Sequence, residues 1–268
     1  MRRLPLPAWD WLLIFDFDGT LAPIVDDPAT AQLDVQLAPI LARLQSLAVH
    51  LASVSGRDRA TLTRLLPQGW LCLGSYGAEL PREIADDEPT AGLDPAAQAR
   101  LYSAAADVQE RLRRWPGARL EVKPWGLAVH FRSAEVALEP GGQLSPDVVL
   151  ELSDVAQRLG LVGAPGRKVY ELRPQGAVDK GWGVRWLAER LKPAAMLYVG
   201  DDLGDVPAFE AASELAAELT VVTVGLTSPE VPEGTFAGCD AVLRKRSELV
   251  DLCQALVERA RAGGNKNP

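Results

Sequence analysis

Asp16 and Asp18 stand two residues apart at the end of the apolar run Leu12-Leu13-Ile14-Phe15, with Gly19 and Thr20 directly after them. Such a run reads as a buried strand, and because strand side chains alternate, both acids leave it on the same side. Gly19 permits a sharp turn and Thr20 offers a hydroxyl at its lip. Ligands of open parallel sheets sit beyond the carboxyl ends of the strands, which is where these acids fall. Two carboxylates forced together repel and require a cation or a shared proton. That is a costly arrangement for structure alone.

Three more segments carry polar groups that suit the same task. They are Ser55 with Arg57 after the run from Val49 to Val54, Lys180-Gly181 ahead of a helical pattern from Trp182 to Leu191, and Gly200-Asp201-Asp202 with Asp205 after Ala195 to Val199. Together they supply a carboxylate nucleophile, a hydroxyl donor, a cation and an acidic metal cradle. Phosphoryl transfer needs this set: an in-line nucleophile, neutralised phosphate charge and a bridging Mg²⁺. Oxygen ligands without His or Cys favour Mg²⁺ over zinc. The chain has two histidines, His50 and His130, and three scattered cysteines, Cys72, Cys239 and Cys253, with no C-x-x-C pair. A zinc site, a disulfide framework and a His-dependent triad are therefore not expected.

The elements that must position these residues follow from the apolar pattern. Strands are expected at 12–17, 49–54, 71–73, 195–199 and 219–224, with helices over 34–47, 58–66 and 182–191. Trp182 and Trp186, spaced i, i+4, are expected to pack in the core. The middle differs: an acidic, Pro-bearing stretch from Pro81 to Pro89 leads into a helix over 95–115, strands at 119–123 and 127–132, a Pro140-Gly141-Gly142 break, a helix over 146–159 and strands at 161–163 and 168–173. This order predicts an α/β protein: a doubly wound parallel-sheet core made of 1–80 and 175–268, with a smaller α+β (αββαββ) cap inserted at 81–174.

With 268 residues, 47% of them hydrophobic, the chain can bury a full core. A net charge of -8 argues against nucleic-acid or membrane-surface partners. No apolar run approaches the ~20 residues of a membrane span. Met1-Arg2-Arg3-Leu4-Pro5 lacks the apolar stretch of a signal peptide, and the tail from Gly263 to Pro268 is expected to fray. A cytoplasmic, soluble, monomeric protein is the expectation.

D-x-D-G-T, S-G-R, a downstream Lys and G-D-D-x-x-D resemble the four motifs of the haloacid dehalogenase-like phosphatases. Within them the chain is most similar to the trehalose-6-phosphate phosphatase family. Phe15-Asp16-Phe17-Asp18-Gly19-Thr20-Leu21-Ala22-Pro23-Ile24 resembles that family's first motif. Gly74-Ser75-Tyr76-Gly77-Ala78-Glu79 resembles its G-x-H-G-x-E, with Tyr76 in place of His. Glu121-Val122-Lys123 with His130-Phe131-Arg132, and Gly166-Arg167-Lys168-Val169-Tyr170-Glu171-Leu172-Arg173-Pro174, resemble its cap motifs.

The resemblance implies an HAD-like fold and a Mg²⁺-dependent sugar-phosphate phosphatase acting on trehalose 6-phosphate. Asp16 would be the nucleophile and Asp18 the acid/base, with Ser55 and Lys180 holding phosphate oxygens. Thr20 and Arg57 would assist substrate binding, and Glu121, Lys123 and Glu171 would hold glucose hydroxyls. Mg²⁺ would take the Asp16 carboxylate, the Asp18 carbonyl and Asp201, with Asp202 and Asp205 orienting its waters. The cap would close as a lid, and a sugar-phosphate synthase would work in the same pathway. Gly204 and Val206 depart from the family's Thr and Glu, which opens substrate identity. Phosphatases for sucrose 6-phosphate or for mannosyl- or glucosyl-3-phosphoglycerate stay open, as does a catalytically silent sugar-phosphate sensor.

Overall fold

Every residue of the first strand, β1 (Trp11–Phe15), is buried, because parallel neighbours flank it and helices cover both its faces. The computed structural model describes residues 10–25, 27–47, 49–85, 94–139, 142–166 and 168–264. Residues 1–9, Asp26, Ala48, residues 86–93, Pro140-Gly141, Arg167 and the last four residues lie outside the described residues. Two compact units are formed, one from Met1–Asp87 with Val178–Pro268 and one from Glu88–Ala177.

In the first unit β1 pairs in parallel with β2 (His50–Val54) and β8 (Ala195–Gly200). The sheet is completed by β3 (Leu71–Leu73) beyond β2, and by β9 (Thr220–Leu226) and β10 (Ala241–Leu243) beyond β8, all in parallel. Phe15 stands opposite both Ser53 and Val199, so the three central strands end nearly level. Strand alternation splits β1 between two cores. Trp11, Leu13 and Phe15 pack with α1 (Leu37–Ser46), α7 (Arg246–Gly264) and Leu62 of α2 (Arg59–Leu65); Leu12 and Ile14 pack with α5 (Lys180–Leu191) and α6 (Val206–Leu215). The sheet is thus doubly wound, and chain direction away from β1 reverses at its centre, where such folds bind ligands.

Local chemistry moves some boundaries. β1 ends at Phe15 because Asp16 and Phe17 enter a tight turn, in which Ala22 N–H donates to the Phe17 carbonyl at 2.8 Å and Gly19 N–H to the Ala22 carbonyl at 2.8 Å. α1 starts at Leu37 after a turn at Asp34, whose carboxylate accepts from Gln36 N–H at 2.8 Å and whose carbonyl accepts from Leu37 and Ala38 N–H. The tryptophan expectation is half corrected. Trp186 packs against the α5–α6 core, but Trp182 stacks on it from outside and is 37% exposed, because its position turns away from the sheet. Beyond the expected elements the structure adds α6, β10 and α7.

The second unit contains α3 (Pro95–Arg111), β4 (Arg119–Lys123), β5 (Gly126–His130), α4 (Pro146–Arg158), β6 (Leu161–Gly166) and β7 (Val169–Pro174). The strands form an antiparallel sheet in the order β4-β5-β7-β6. Leu101, Ala104 and Val108 of α3 and Val148, Leu152 and Val155 of α4 cover one face, against Leu127, Val129, Tyr170 and Leu172. Asp94 and Ser145 cap these helices, each with a proline at the next position, where its missing N–H costs nothing. No helix among the described residues is long and apolar enough to cross a membrane.

Candidate active site

Asp16 sits one residue past β1, its N–H donating to the Val199 carbonyl at 2.9 Å, and its side chain is almost fully buried. Lys180, the first residue of α5, brings its Nζ to 2.9 Å from Asp16 Oδ1 and 2.7 Å from Asp205 Oδ1. α5 begins there because Asp179 caps it, accepting from Trp182 N–H at 2.8 Å. Burial pushes the Asp16 carboxyl well above the usual range; Lys180 opposes this, while Asp205, Asp202 and Asp18 add to it. Burial works to lower the Lys180 pKa, but Asp16, Asp205 and Asp202 hold the ammonium well above its ordinary value. Lys180 is a fixed cation.

Asp201 is raised in the same way, by burial first and then by Asp202, Asp16 and Asp205. Its carboxylate lies against the Asp18–Thr20 turn and accepts from Thr20 Oγ1 at 3.3 Å. Gly19 is required at that contact. Its φ is 86°, and a Cβ there would fall inside the Asp201 carboxylate.

Asp16, Asp201 and Asp205 are buried acids whose oxygens lie within 4.8 Å of one another. Asp205 is already saturated: Oδ1 accepts from Lys180 and from Tyr198 Oη at 2.7 Å, and Oδ2 from the N–H groups of Asp201 at 2.8 Å and Asp202 at 3.1 Å. Asp16 and Asp201 are the other two carboxylates of the group. An oxygen-only donor set with surplus buried negative charge fits a hard divalent ion such as Mg²⁺.

Ser55 directly follows β2 and is buried, its N–H donating to the Leu73 carbonyl at 3.1 Å. The Ser75-Tyr76 turn holds the Ser55–Arg57 loop: Tyr76 N–H donates to the Ser55 carbonyl at 2.8 Å and Ser75 N–H to the Arg57 carbonyl at 2.7 Å. Ser75 and Tyr76 adopt φ values of 49° and 64°, uncommon for such residues, and Ser75 Oγ donates to Glu79 at 2.5 Å. Arg57 reaches Asp18 through a two-point ion pair.

In the second unit Glu121, Ala128 and Glu171 stand in one row across β4, β5 and β7, so both acids share a sheet face. Lys123 Nζ lies 3.9 Å from Glu121 and 3.6 Å from Glu171, and His130 Nε2 is 2.8 Å from Glu121.

Residues 14–234 match the family model described as Trehalose-phosphatase. The chain belongs to the trehalose-phosphatase family. It is 39% identical over 220 residues to a trehalose-phosphate phosphatase of Mycobacterium marinum, covering 78% of this chain and 52% of that protein. It is also 39% identical over 210 residues to one of Mycobacterium tuberculosis, covering 74% and 50%. The chain thus spans about half the length of the curated relatives it matches. The C-terminal domain of a trehalose-6-phosphate phosphatase from C. albicans has the same fold, with a TM-score of 0.71 at 23% identity over 92% of each chain. The fold is the haloacid dehalogenase-like core with a cap.

Three contributors to this trehalose-phosphatase family site were given no role from the sequence: Tyr198 and Arg246 have no motif of their own, and Glu79 closes the segment that resembles G-x-H-G-x-E. Tyr198, inside β8, holds Asp205. Glu79 ties down the strained turn behind Ser55. Arg246, at the start of α7, donates to the carbonyls of Thr20 at 2.6 Å, Gly19 at 2.7 Å and Ala22 at 3.1 Å, bracing the turn after Asp18. The family's missing Thr and Glu fall at Gly204, whose N–H donates to Asp202 at 2.8 Å, and at Val206, the first residue of α6. Neither departure touches the bonds that Asp205 makes.

Proposed function

We propose that this chain is a Mg²⁺-dependent phosphatase that converts trehalose 6-phosphate and water to trehalose and phosphate through an aspartyl-phosphate. The observation that carries this reading is the buried Asp16–Lys180 pair at the centre of the parallel sheet, a carboxylate and a fixed cation where the fold binds ligands. Asp16 attacks phosphorus as the bond to the sugar oxygen breaks, and Asp18 gives that oxygen its proton. Asp18 then takes a proton from the water that attacks phosphorus, which frees phosphate and restores Asp16. Ser55, Thr20 and Lys180 hold the phosphate oxygens. Asp16, Asp201 and the Asp18 carbonyl would hold Mg²⁺, which when bound neutralises phosphate charge. Asp205 and Asp202 fix the loop that carries Asp201.

In this reading the core expected at 1–80 and 175–268 is the catalytic domain and the insert expected at 81–174 is a cap that excludes water during the reaction, the compact units dividing a few residues away, after Asp87 and after Ala177. The cap contributes Glu121, Lys123 and Glu171 to the glucose hydroxyls. The test is phosphate release from a panel of sugar phosphates, with and without EDTA. Trehalose 6-phosphate is expected to be the best substrate, and EDTA to abolish turnover. A preference for sucrose 6-phosphate or a glycosyl-phosphoglycerate refutes the substrate; release from none of them refutes the enzyme.

Sugar recognition by the cap has its own readout. Glu121→Ala is expected to raise KM for trehalose 6-phosphate by about tenfold, the loss of one or two hydrogen bonds to a charged group. Turnover of p-nitrophenyl phosphate, which has no sugar, should be spared. Equal losses on both substrates would remove Glu121 from sugar binding.

A further inference from the structure

Arg57 directs its guanidinium at Asp18. Nε donates to Oδ2 at 2.6 Å and Nη2 to Oδ1 at 2.7 Å, the parallel two-bond geometry that fixes a carboxylate in direction as well as distance. Nη2 also donates to the Pro28 carbonyl at 2.8 Å, and the guanidinium carbon lies 5.2 Å from the Phe17 ring centroid. The Arg57 side chain is only 12% exposed, against 37% for Asp18. Its backbone is equally fixed. The Arg57 N–H donates to Ser55 Oγ at 3.3 Å and its carbonyl accepts from Ser75, the first of two residues held at positive φ. A rigid base therefore presents a rigid fork to a half-exposed acid.

The chemistry proposed above needs Asp18 aimed twice, once at the departing sugar oxygen and once at the attacking water. An aspartate left to itself rotates about two torsions, and freezing it in the reactive orientation opposes the reaction with conformational entropy. The fork removes that freedom beforehand. Each carboxylate oxygen has two lone-pair positions, and a parallel fork takes one from each, so Asp18 keeps acceptor capacity on the side away from Arg57.

We propose that Arg57 is the positioning residue for Asp18, aiming its carboxyl at the leaving oxygen and then at water. This rests on the aspartyl-phosphate reading, and it moves Arg57 from attracting phosphate, as expected from the sequence, to governing proton transfer. In the first step the Asp16–phosphorus bond forms, the phosphorus–sugar-oxygen bond breaks, and the Asp18 proton passes to that oxygen. In the second the water–phosphorus bond forms, the Asp16–phosphorus bond breaks, and a water proton passes to Asp18.

The prediction is a dependence on leaving group. A sugar alkoxide needs the proton from Asp18, whereas p-nitrophenolate departs without one. In the full chain with Mg²⁺, single-turnover release from the best sugar phosphate and from p-nitrophenyl phosphate is compared for wild type, Arg57→Ala and Arg57→Lys. Arg57→Ala is expected to change the ratio of the two first-step rates by about 10²-fold against the sugar phosphate, the usual contribution of a positioned acid. With p-nitrophenyl phosphate it should also show a burst of p-nitrophenol, because the second step still needs Asp18. Arg57→Lys keeps the charge without the fork and should show the same pattern more weakly; it stands in if the alanine variant does not fold. Equal slowing of both first steps, or a raised KM with kcat retained on both substrates, overturns the proposal and returns Arg57 to phosphate binding. Wild-type protein that releases no phosphate at all refutes the underlying reading instead.

Discussion

Asp16→Asn is expected to lower phosphate release by at least ~10³-fold while leaving the protein folded, and in the absence of metal to raise its melting temperature. The first effect follows from removing the group that takes the phosphoryl group in the proposed reaction, since an amide is a far weaker nucleophile. The second follows from what holds Asp16 in place. Burial and the nearby Asp205, Asp202 and Asp18 raise its carboxyl well above the usual range, more than Lys180 lowers it. An acid whose folded pKa exceeds its unfolded one binds more protons folded than unfolded between those two values. Across that window stability therefore falls as pH rises. Asp201 has the same sign. Metal-free protein should grow more stable as pH drops from neutral toward the ordinary carboxylate range, and Asp16→Asn should flatten that slope. Added Mg²⁺ should stabilise wild type at neutral pH and reduce the slope, because a bound cation favours ionised acids. Phosphate release and thermal unfolding between about pH 5 and 8, with Mg²⁺ or EDTA, check both halves. Normal turnover by Asp16→Asn would remove it as nucleophile.

How much of this was legible in the residues depends on the range of the interaction. The central strands could be placed because parallel strands buried on both faces are unbroken apolar runs, and the acids ending them could be read from i, i+2 spacing. Lys180 could be placed only through its company, since a lone lysine before a helix reads as solvated. The hub role of Asp205 was not legible: four hydrogen bonds on one carboxylate depend on the backbone of Asp201 and Asp202 curling around it. Tyr198 reads as one more apolar residue of β8, because nothing local marks the hydroxyl that it turns toward Asp205. Arg246 lies 226 residues from the Thr20 carbonyl it holds, inside an Arg-Lys-Arg run that looks like a charged surface. Trp182 failed for a related reason. Its i, i+4 partner shares a helix stripe with it, but the stripe's edge lies outside the core.

Lys180→Met is expected to produce the largest loss of stability of any single change at the site, about 3–5 kcal/mol, together with loss of turnover. Methionine nearly fills the lysine's volume, so the cost is electrostatic rather than a cavity. Without the ammonium, Asp16 loses its partner at 2.9 Å and Asp205 its partner at 2.7 Å, leaving two carboxylates in the interior. Asp205 retains Tyr198 and two backbone N–H groups, so Asp16 carries most of the penalty. The double variant Lys180→Met with Asp16→Asn should consequently be more stable than Lys180→Met alone, since neutralising Asp16 removes the charge that the lysine had balanced. Urea unfolding of wild type, both single variants and the double variant, in EDTA, measures this coupling. A double-mutant cycle additive to within ~0.5 kcal/mol would mean that Lys180 and Asp16 do not act as a pair. In that case Lys180 would not offset the burial and neighbouring acids that raise the Asp16 carboxyl, and it would serve the phosphate without first having served the fold.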